Sequence, residues 1–483
     1  MQFVSGSVRT GLKIIALAGT VSLLGALAAA AADASAHLDG RQLGPAAVLP
    51  FVGLLLSIAI CPLASPKLWH HHYGKIAAFW ALAFIVPYSN VLGTAPVATE
   101  LAHTILLEYL PFLLLILALF TVSGGILLKG DLHGSAAVNT ALLAIGTGVA
   151  SIAGTTGASM LLIRPVIRAN DNRRHNRHVI IFFIFLVANI GGALTPLGDP
   201  PLFLGFLKGV DFFWPTGHLL GPTALVAILL LGLFFALDSY LFHIDETAPP
   251  PPDPTPDSRL HIEGWPNIVL LGAILVAVLT SGIWRPGIGI PLLGVTIELQ
   301  NLVRDVALLL ITALSWWTTR AELRDANGFS WGPIIEVAKL FAGIFVTIIP
   351  VIAVLKAGRE GALAPVIALV SDSAGHPNNA AYFWLAGGLS SFLDNAPTYL
   401  VFFNTAGGDA RQLMGPLADT LTAISAGAVF MGANSYIGNA PNFMVKAIAE
   451  ERGVKMPSFF GYMLWSGGLL IPCFGLVTWV FFR

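Results

Sequence analysis

The stretch Val187-Ala-Asn-Ile-Gly-Gly-Ala-Leu-Thr-Pro-Leu-Gly-Asp-Pro-Pro-Leu-Phe203 sets the tightest limit on what this chain can fold into. It continues an apolar run that begins at Val179 and leads into Leu204-Gly-Phe-Leu207. Together these residues are long enough to cross a bilayer, for which a helix needs about 20 residues. Yet a Gly pair, three prolines, Thr195 and Asp199 stand in the middle. Proline removes a backbone donor and Gly weakens the helix, so the span breaks between Gly191 and Pro201. Broken backbone survives at membrane depth only where protein buries it or a wet cavity lines it. A carboxylate there costs at least about 2.5 kcal/mol even on the most lenient insertion scale. A span that accepts both penalties reads as a substrate or ion site.

Composition agrees. Of 483 residues, 56% are hydrophobic and only 11% are charged, less than half the roughly 25% usual in soluble domains. Mean hydropathy is +0.79. The fold class is therefore an all-α polytopic membrane protein whose first partner is the lipid bilayer. A formal net charge of −1 and the lack of a basic tail argue against nucleic acid as a partner. Cys61 and Cys473 both lie in apolar spans and read as packed thiols. The sequence carries no P-loop, nucleophile elbow, zinc spacing or kinase signature. An ATP-driven pump or an enzyme finds no support, and no bound cofactor is expected.

Residues 1–36 carry Arg9 and Lys13, an apolar run from Ile14 to Ala32, and then Ala34-Ser-Ala36. A signal peptide and an extra N-terminal transmembrane helix both fit. Apolar spans follow near 48–62, 75–90, 108–128, 179–207, 221–242, 267–284, 306–318, 337–358, 421–446 and 463–482. Runs 139–167 and 377–406 are long but interrupted by small and polar residues, and each reads as a re-entrant hairpin. The count is thus about 10–11 transmembrane helices plus two hairpins. A Pro-rich linker, residues 243–265, divides a first half, 48–242, from a second, 266–483. With the N-terminus and loops 63–75, 129–138, 164–178, 243–266, 319–336 and 446–462 inside, 16 of the 25 Lys and Arg fall on that side. The positive-inside rule supports this orientation in a bacterial inner (cytoplasmic) membrane. The densest run, Arg164 to Arg177, serves this topology and also fits an anionic-lipid contact, with Arg164 snorkelling to the interface.

Sliding the chain by 240 residues aligns its odd places. Ser151 meets Ser391, Gly198 meets Gly438, Asp199 meets Asn439, Pro201 meets Pro441 and Phe203 meets Phe443. One offset thus superposes both a hairpin and a broken helix (179–207 on 421–446). Five full spans per half invert the second half relative to the first, and inverted repeats whose broken helices meet at the midplane are the plan of secondary transporters.

The hairpin tips are Ser151-Ile-Ala-Gly-Thr-Thr-Gly-Ala-Ser159 and Ser390-Ser-Phe-Leu-Asp-Asn-Ala-Pro-Thr398. The helix breaks are Asn189 to Pro201 and Asn434-Ser-Tyr-Ile-Gly-Asn-Ala-Pro-Asn442. Half-helix N-termini suit anions, while freed carbonyls, hydroxyls, amides and carboxylates suit hard cations such as Na⁺. Bland readings stand beside these. The prolines can simply kink helices, Ser and Thr can bond back to the preceding turn, and Asn189 and Asn434 can glue helices together. Asp199 and Asp394 read either as caps of half-helix N-termini or as proton- and cation-binding carboxylates. Glu108 reads as a helix cap, Glu336 as a lesser proton-path candidate, and His70-His-His72 as a solvated turn.

At these residues the chain resembles a known group. Asn189-Ile-Gly-Gly-Ala-Leu-Thr-Pro-Leu-Gly-Asp-Pro-Pro201 is similar to the broken-helix motif of the ion transporter superfamily, and Asp394-Asn-Ala-Pro397 to the hairpin tip of its antiporter-like branches. Within that superfamily the chain resembles NhaD-type sodium:proton antiporters and a bacterial set labelled sodium:proton antiporters or citrate transporters. The resemblance covers most of the chain from about residue 48. It implies inverted repeats, a scaffold that often dimerises, and a moving domain holding both hairpins and both broken helices. It also places Asp199, Asp394 and Asn395 at ion-binding positions, with Thr195 and Asn439 nearby. The first tip reads Gly154-Thr-Thr-Gly157 without the Asp-Asn of some members, and the Ser-Asn-Thr triplets of the dicarboxylate carriers are absent.

The leading expectation is a Na⁺/H⁺ antiporter in which Asp199 and Asp394 bind Na⁺ or H⁺. Asn395, Thr155, Thr156, Thr195, Asn189, Thr398, Asn434 and Asn439 supply further oxygens. The alternative is a citrate or dicarboxylate carrier coupled to cations. Against it, no Lys or Arg lies in the four breaks.

Overall fold

A computed structural model describes residues 38–130, 132–246, 261–372 and 375–483. The proposed signal segment 1–36 and most of the Pro-rich linker fall outside the described residues. Among the described residues nineteen helices run in chain order. Before the Pro-rich segment lie α1 (Leu49–Ala64), α2 (Pro66–Leu92), α3 (Thr94–Ser123), α4 (Ala136–Ala153), α5 (Thr155–Arg168), α6 (Arg177–Leu186), α7 (Pro200–Leu207) and α8 (Trp214–Glu246). After it lie α9 (Trp265–Ile283), α10 (Leu299–Thr318), α11 (Ala321–Ala326), α12 (Gly332–Lys356), α13 (Ala364–Leu369), α14 (Asn379–Ser390), α15 (Asn395–Thr405), α16 (Ala410–Met414), α17 (Ala418–Met431), α18 (Ala440–Glu451) and α19 (Phe459–Phe481). Among the described residues, two short antiparallel strand pairs, β1 (Leu127–Lys129) with β2 (His261–Glu263) and β3 (Gly289–Leu292) with β4 (Val295–Glu298), depart from an all-helical reading.

Among the described residues, 10 helices are long and apolar enough to cross a membrane. The chain is an all-α polytopic membrane protein. Helix burial divides these spans into two sorts. Every residue of α6 from His178 to Leu186 is buried, so this helix, apolar all round, is sheathed by protein rather than lipid. Helices α1, α2 and α10 instead expose Leu56, Phe79, Leu82, Val86, Leu309, Leu310 and Trp317, the faces that lipid covers. His70, His71 and His72 sit in the opening turns of α2 rather than in a loop, and among the described residues no three or more His, Cys, Asp and Glu cluster as metal ligands.

The interruptions fall where Gly, Pro and polar residues meet in apolar runs. Hairpin α4–α5 turns at Gly154, whose φ of 77° and ψ of 152° favour a residue without Cβ. Hairpin α14–α15 turns through 391–394. The first broken helix runs α6, a short 3₁₀ turn (Ile190–Leu194), then α7. The second runs α17, a 3₁₀ turn (Gly432–Asn434), then α18. In both, an extended residue precedes the second half-helix: Asp199 at φ −144° and Asn439 at φ −150°. Pro200 and Pro441 then open the helices, where a missing N–H costs nothing. Gly198 and Gly192 approach so closely that a Cβ on Gly198 would lie 2.2 Å from the Gly192 carbonyl oxygen.

The 240-residue offset recurs in hydrogen bonds. Thr195 Oγ1 donates to the Ser151 carbonyl and Ser435 Oγ to the Ser391 carbonyl, each at 2.5 Å. The same two hydroxyls accept from Leu197 N at 3.2 Å and Ile437 N at 3.3 Å. Ser151 Oγ reaches the Gly191 carbonyl at 2.5 Å and Ser391 Oγ the Met431 carbonyl at 3.2 Å. Each hairpin is thus pinned to the broken helix of its own half by side chains at equivalent positions.

Candidate functional site

Four chain breaks meet around one side chain. Asp199, 1% exposed, presents Oδ1 to Thr155 Oγ1 at 2.9 Å and to Asn439 Nδ2 at 3.2 Å, and Oδ2 to Asn395 Nδ2 at 2.5 Å. Thr155 is the first residue of α5 and Asn395 the first of α15, while Asp199 and Asn439 cap α7 and α18. Four half-helix N-termini therefore surround the carboxylate, and their partial positive charge favours a negative group. The backbone reinforces the junction, since Thr155 N donates to the Gly198 carbonyl at 2.8 Å.

All three side-chain donors to Asp199 are neutral. No Lys, Arg or His forms an ion pair with it among the described residues. Asn395 spends its amide on Asp199, and its Oδ1 is buried without a partner. A carboxylate and an unused amide oxygen thus share the junction. Beside them lies a cavity of about 50 Å³ lined by Phe112, Leu115, Leu119, Thr155, Thr156 and Asp199, among others. That is room for an ion and a few waters, since a water needs about 10–15 Å³ of such cavity space. Its lining includes no Lys or Arg.

Asn189 joins the group from behind. It donates to the Ile184 carbonyl at 2.8 Å and to Asn442 Oδ1 at 2.7 Å, and accepts from Asn439 at 3.2 Å. Asn442 in turn donates to the Gly432 and Ser435 carbonyls, both at 2.9 Å. This amide chain fixes Asn439 toward Asp199. The offset of 240 already pairs Ser151 with Ser391 but gives them no role, and nothing in the sequence marks Asn442 or Ser435 within the break stretches that contain them.

The remaining candidates make no hydrogen bond to the Asp199 carboxylate. Asp394 is half-buried and caps α15, its Oδ1 accepting from Ala396 N at 3.0 Å. Thr398 bonds back to the Asp394 carbonyl at 3.0 Å, and Thr195 serves the Ser151 pin. Asn434 donates to Ser391 Oγ at 2.9 Å, leaving its own Oδ1 buried and unpartnered. Thr156 lines the cavity.

Two charged residues differ from their sequence reading. Glu108 is no simple cap: it is buried in a π-helical turn of α3 (Ile105–Tyr109) and pairs with Lys208 at 2.5 Å. The pair borders a second cavity of about 140 Å³ beside Lys356. Lys208 directly follows α7, so one short half-helix carries Asp199 at one end and this ion pair at the other. Arg164 is 9% exposed, covered by protein rather than extended into open solvent. Glu336, near the start of α12, is partly exposed.

A family model described as "Putative citrate transport" matches residues 40–482. Uncharacterized transporters of Mycobacterium bovis and Mycobacterium tuberculosis are each 27% identical over 323 residues, covering 65% of this chain and 70% of theirs. The multi-pass architecture and the transporter relatives agree, and by the extent of the family match this chain belongs to that citrate-transport family of membrane transporters.

Proposed function

We propose that this transporter exchanges Na⁺ for H⁺ across a bacterial inner membrane, with both ions competing for Asp199. The observation that carries this reading is a buried carboxylate that receives only neutral hydrogen bonds. A buried charge needs a compensating charge or a proton, and here an exchangeable ion supplies it. In the cation-bound form, Asp199 and the free Oδ1 of Asn395 offer oxygens to Na⁺, with the Thr155 hydroxyl beside them. In the protonated form, rotation of the Asn395 amide turns its Oδ1 to accept the Asp199 proton. One carboxylate thus holds Na⁺ or H⁺ but not both, and that competition couples the fluxes. Access alternates when the hairpins and broken helices, as inverted repeats, shift against α3, which borders both cavities, and α12, which borders the larger one. Asp394 reads as the cap that presents Asn395.

Citrate or dicarboxylate transport coupled to cations is the second reading. It is favoured by the family description and by the four half-helix N-termini, which suit a carboxylate-bearing substrate. It requires a wider cavity than the present 50 Å³, because pockets that enclose organic ligands usually run to about 300 Å³ or more.

The test uses proteoliposomes containing a pH-sensitive dye under an imposed proton gradient, with Na⁺, Li⁺, K⁺ and citrate added in turn. Antiport requires that Na⁺ or Li⁺ dissipate the gradient without citrate. Silence toward cations together with saturable entry of labelled citrate would transfer the assignment to the carrier.

A further inference from the structure

Four arginines are buried among the described residues: Arg164, Arg173, Arg304 and Arg324. Three have partners. Arg173 pairs with Asp238 at 2.6 Å, Arg304 with Asp305 at 2.9 Å, and Arg324 donates to the Thr121 and Ser315 carbonyls at 2.8 and 2.9 Å. Arg164 makes no hydrogen bond or ion pair with any described residue, and its Nη1 is buried without a partner. A guanidinium carries five donors and cannot be neutralised at physiological pH, so its burial with no protein acceptor, and with Nη1 cut off from solvent, leaves donors to satisfy.

Its surroundings are net positive. The charges that act on it are Arg452, Arg168 and one acid, Glu451, which is exposed at the end of α18 and forms no ion pair with it. Arg168 is engaged with the Leu128 carbonyl at 2.8 Å. The guanidinium lies over Gly328, where a Cβ would stand 2.1 Å from Nη2. Next to Gly328, Phe329 packs on Trp331 at 5.0 Å and on Trp316 at 6.0 Å. Tryptophans of this kind gather at the headgroup level of a bilayer. Arg164 therefore sits in a seam between α5, α18 and the turn before α12, on the side to which the Lys- and Arg-rich loops are assigned, where the leaflet is anionic.

We propose that Arg164 is the centre of a binding site for the phosphate of an anionic lipid headgroup, with the exposed Arg452 closing over it. A phosphate oxygen pair matches the guanidinium fork and supplies the acceptors that the protein withholds. The bound lipid ties α5, which opens at Thr155, and α18, which Asn439 caps, to the turn at Gly328. This assignment does not depend on which ion or anion the protein transports.

The test is thermal unfolding of the full chain in neutral detergent, followed by tryptophan fluorescence during titration with phosphatidylglycerol, phosphatidylcholine or inorganic phosphate. Phosphatidylglycerol should raise the melting temperature saturably, while phosphatidylcholine does not. Arg164→Gln should weaken the apparent phosphatidylglycerol affinity about tenfold or more, the scale of a lost charge-assisted hydrogen bond. Arg452→Gln, at an exposed position, tests the same site should the buried substitution fail to fold, and it too should weaken binding severalfold. Wild-type phosphatidylglycerol binding in folded Arg452→Gln and Arg164→Gln proteins, or equal stabilisation by phosphatidylcholine, would overturn the proposal. Saturation by inorganic phosphate with no response to phosphatidylglycerol would overturn it in favour of a soluble phosphate ligand.

Discussion

Asp199→Asn separates ion binding from architecture, because it removes a charge and almost no volume. An amide whose oxygen occupies the Oδ1 side keeps the bonds from Thr155 and Asn439, now 2.9 and 3.2 Å long. Its nitrogen then faces Asn395 Nδ2, which approaches Oδ2 to 2.5 Å in the wild type, and two donors cannot stay so close. Asn395 relieves the conflict by rotating its amide, since its Oδ1 is unpartnered and free to accept. The number of hydrogen bonds is preserved and an uncompensated buried charge is gone. The melting temperature should therefore hold or rise.

Ion binding should respond very differently. Unit charges about 4 Å apart attract by about 4 kcal/mol at an effective dielectric of 20. Losing that attraction weakens Na⁺ binding roughly a thousandfold, at 1.4 kcal/mol per factor of ten. In the dye-loaded proteoliposomes, Na⁺ at a concentration that saturates the wild type should no longer dissipate the proton gradient. The reasoning fails if Asp199→Asn protein, shown by melting to be folded, exchanges with a half-saturating Na⁺ concentration within tenfold of wild type.

Three further substitutions probe the junction. Asn395→Ala removes both the donor to Asp199 and the free oxygen; at about 1.5–3 kcal/mol for a bond to a charged group, half-saturating Na⁺ should rise ten- to a hundredfold in the same assay. Asp394→Asn keeps an equally good N-cap for α15, so both melting temperature and Na⁺ exchange should persist; a folded but inactive variant would move Asp394 into the ion site. Gly192→Ala places a methyl group 2.6 Å from Thr155 Cγ2 and 3.0 Å from Asp199 Cβ. Overpacking of that kind costs about 1–3 kcal/mol, so melting temperature and transport should fall together, and an unaffected protein would contradict this close packing.

The chain breaks were legible in the sequence because their residues contradict their setting. Gly, Pro, Asn and Asp inside apolar runs have few structural excuses at membrane depth, and Asp199, Thr155, Asn395 and Asn439 were all picked out on that ground. Their meeting around one carboxylate was foreshadowed by the offset of 240. What the sequence could not reveal are partnerships set by how helices cross. Glu108 and Lys208 stand 100 positions apart, and only the packing of α7 against the π turn joins them. Asn442 looks in sequence like any amide after a proline, yet it anchors Asn189. Arg164 belongs to a run of arginines whose charge explains topology equally well from the surface or from a seam. The β3–β4 pair and the π turn left no periodic signal, the one being four residues per strand and the other a single widened turn.

The same offset makes the junction testable in a stricter way. Asp199 and Asn439 are 240 positions apart, as are Thr155 and Asn395, so the four side chains are two equivalent pairs, one from each half. The geometry is supplied twice and the charge once. If the function needs a carboxylate at this crossing, rather than a carboxylate on α7 in particular, the double variant Asp199→Asn with Asn439→Asp should recover part of what the single variant loses. The relocated charge lies about as far from the cavity as one hydrogen bond, so most of the Coulomb attraction survives. The penalty comes from Asn439's other contacts. Its Nδ2 also donates to the Ala188 carbonyl at 3.1 Å and to Asn189 Oδ1 at 3.2 Å, and an aspartate there opposes two acceptors with a third. Unsatisfied acceptors cost about 1–3 kcal/mol, less than the 4 kcal/mol of the lost charge, so half-saturating Na⁺ should return to within about a hundredfold of wild type. A folded double variant as inactive as Asp199→Asn alone would show that the Thr155 side of the junction, not the crossing itself, determines where the ion binds.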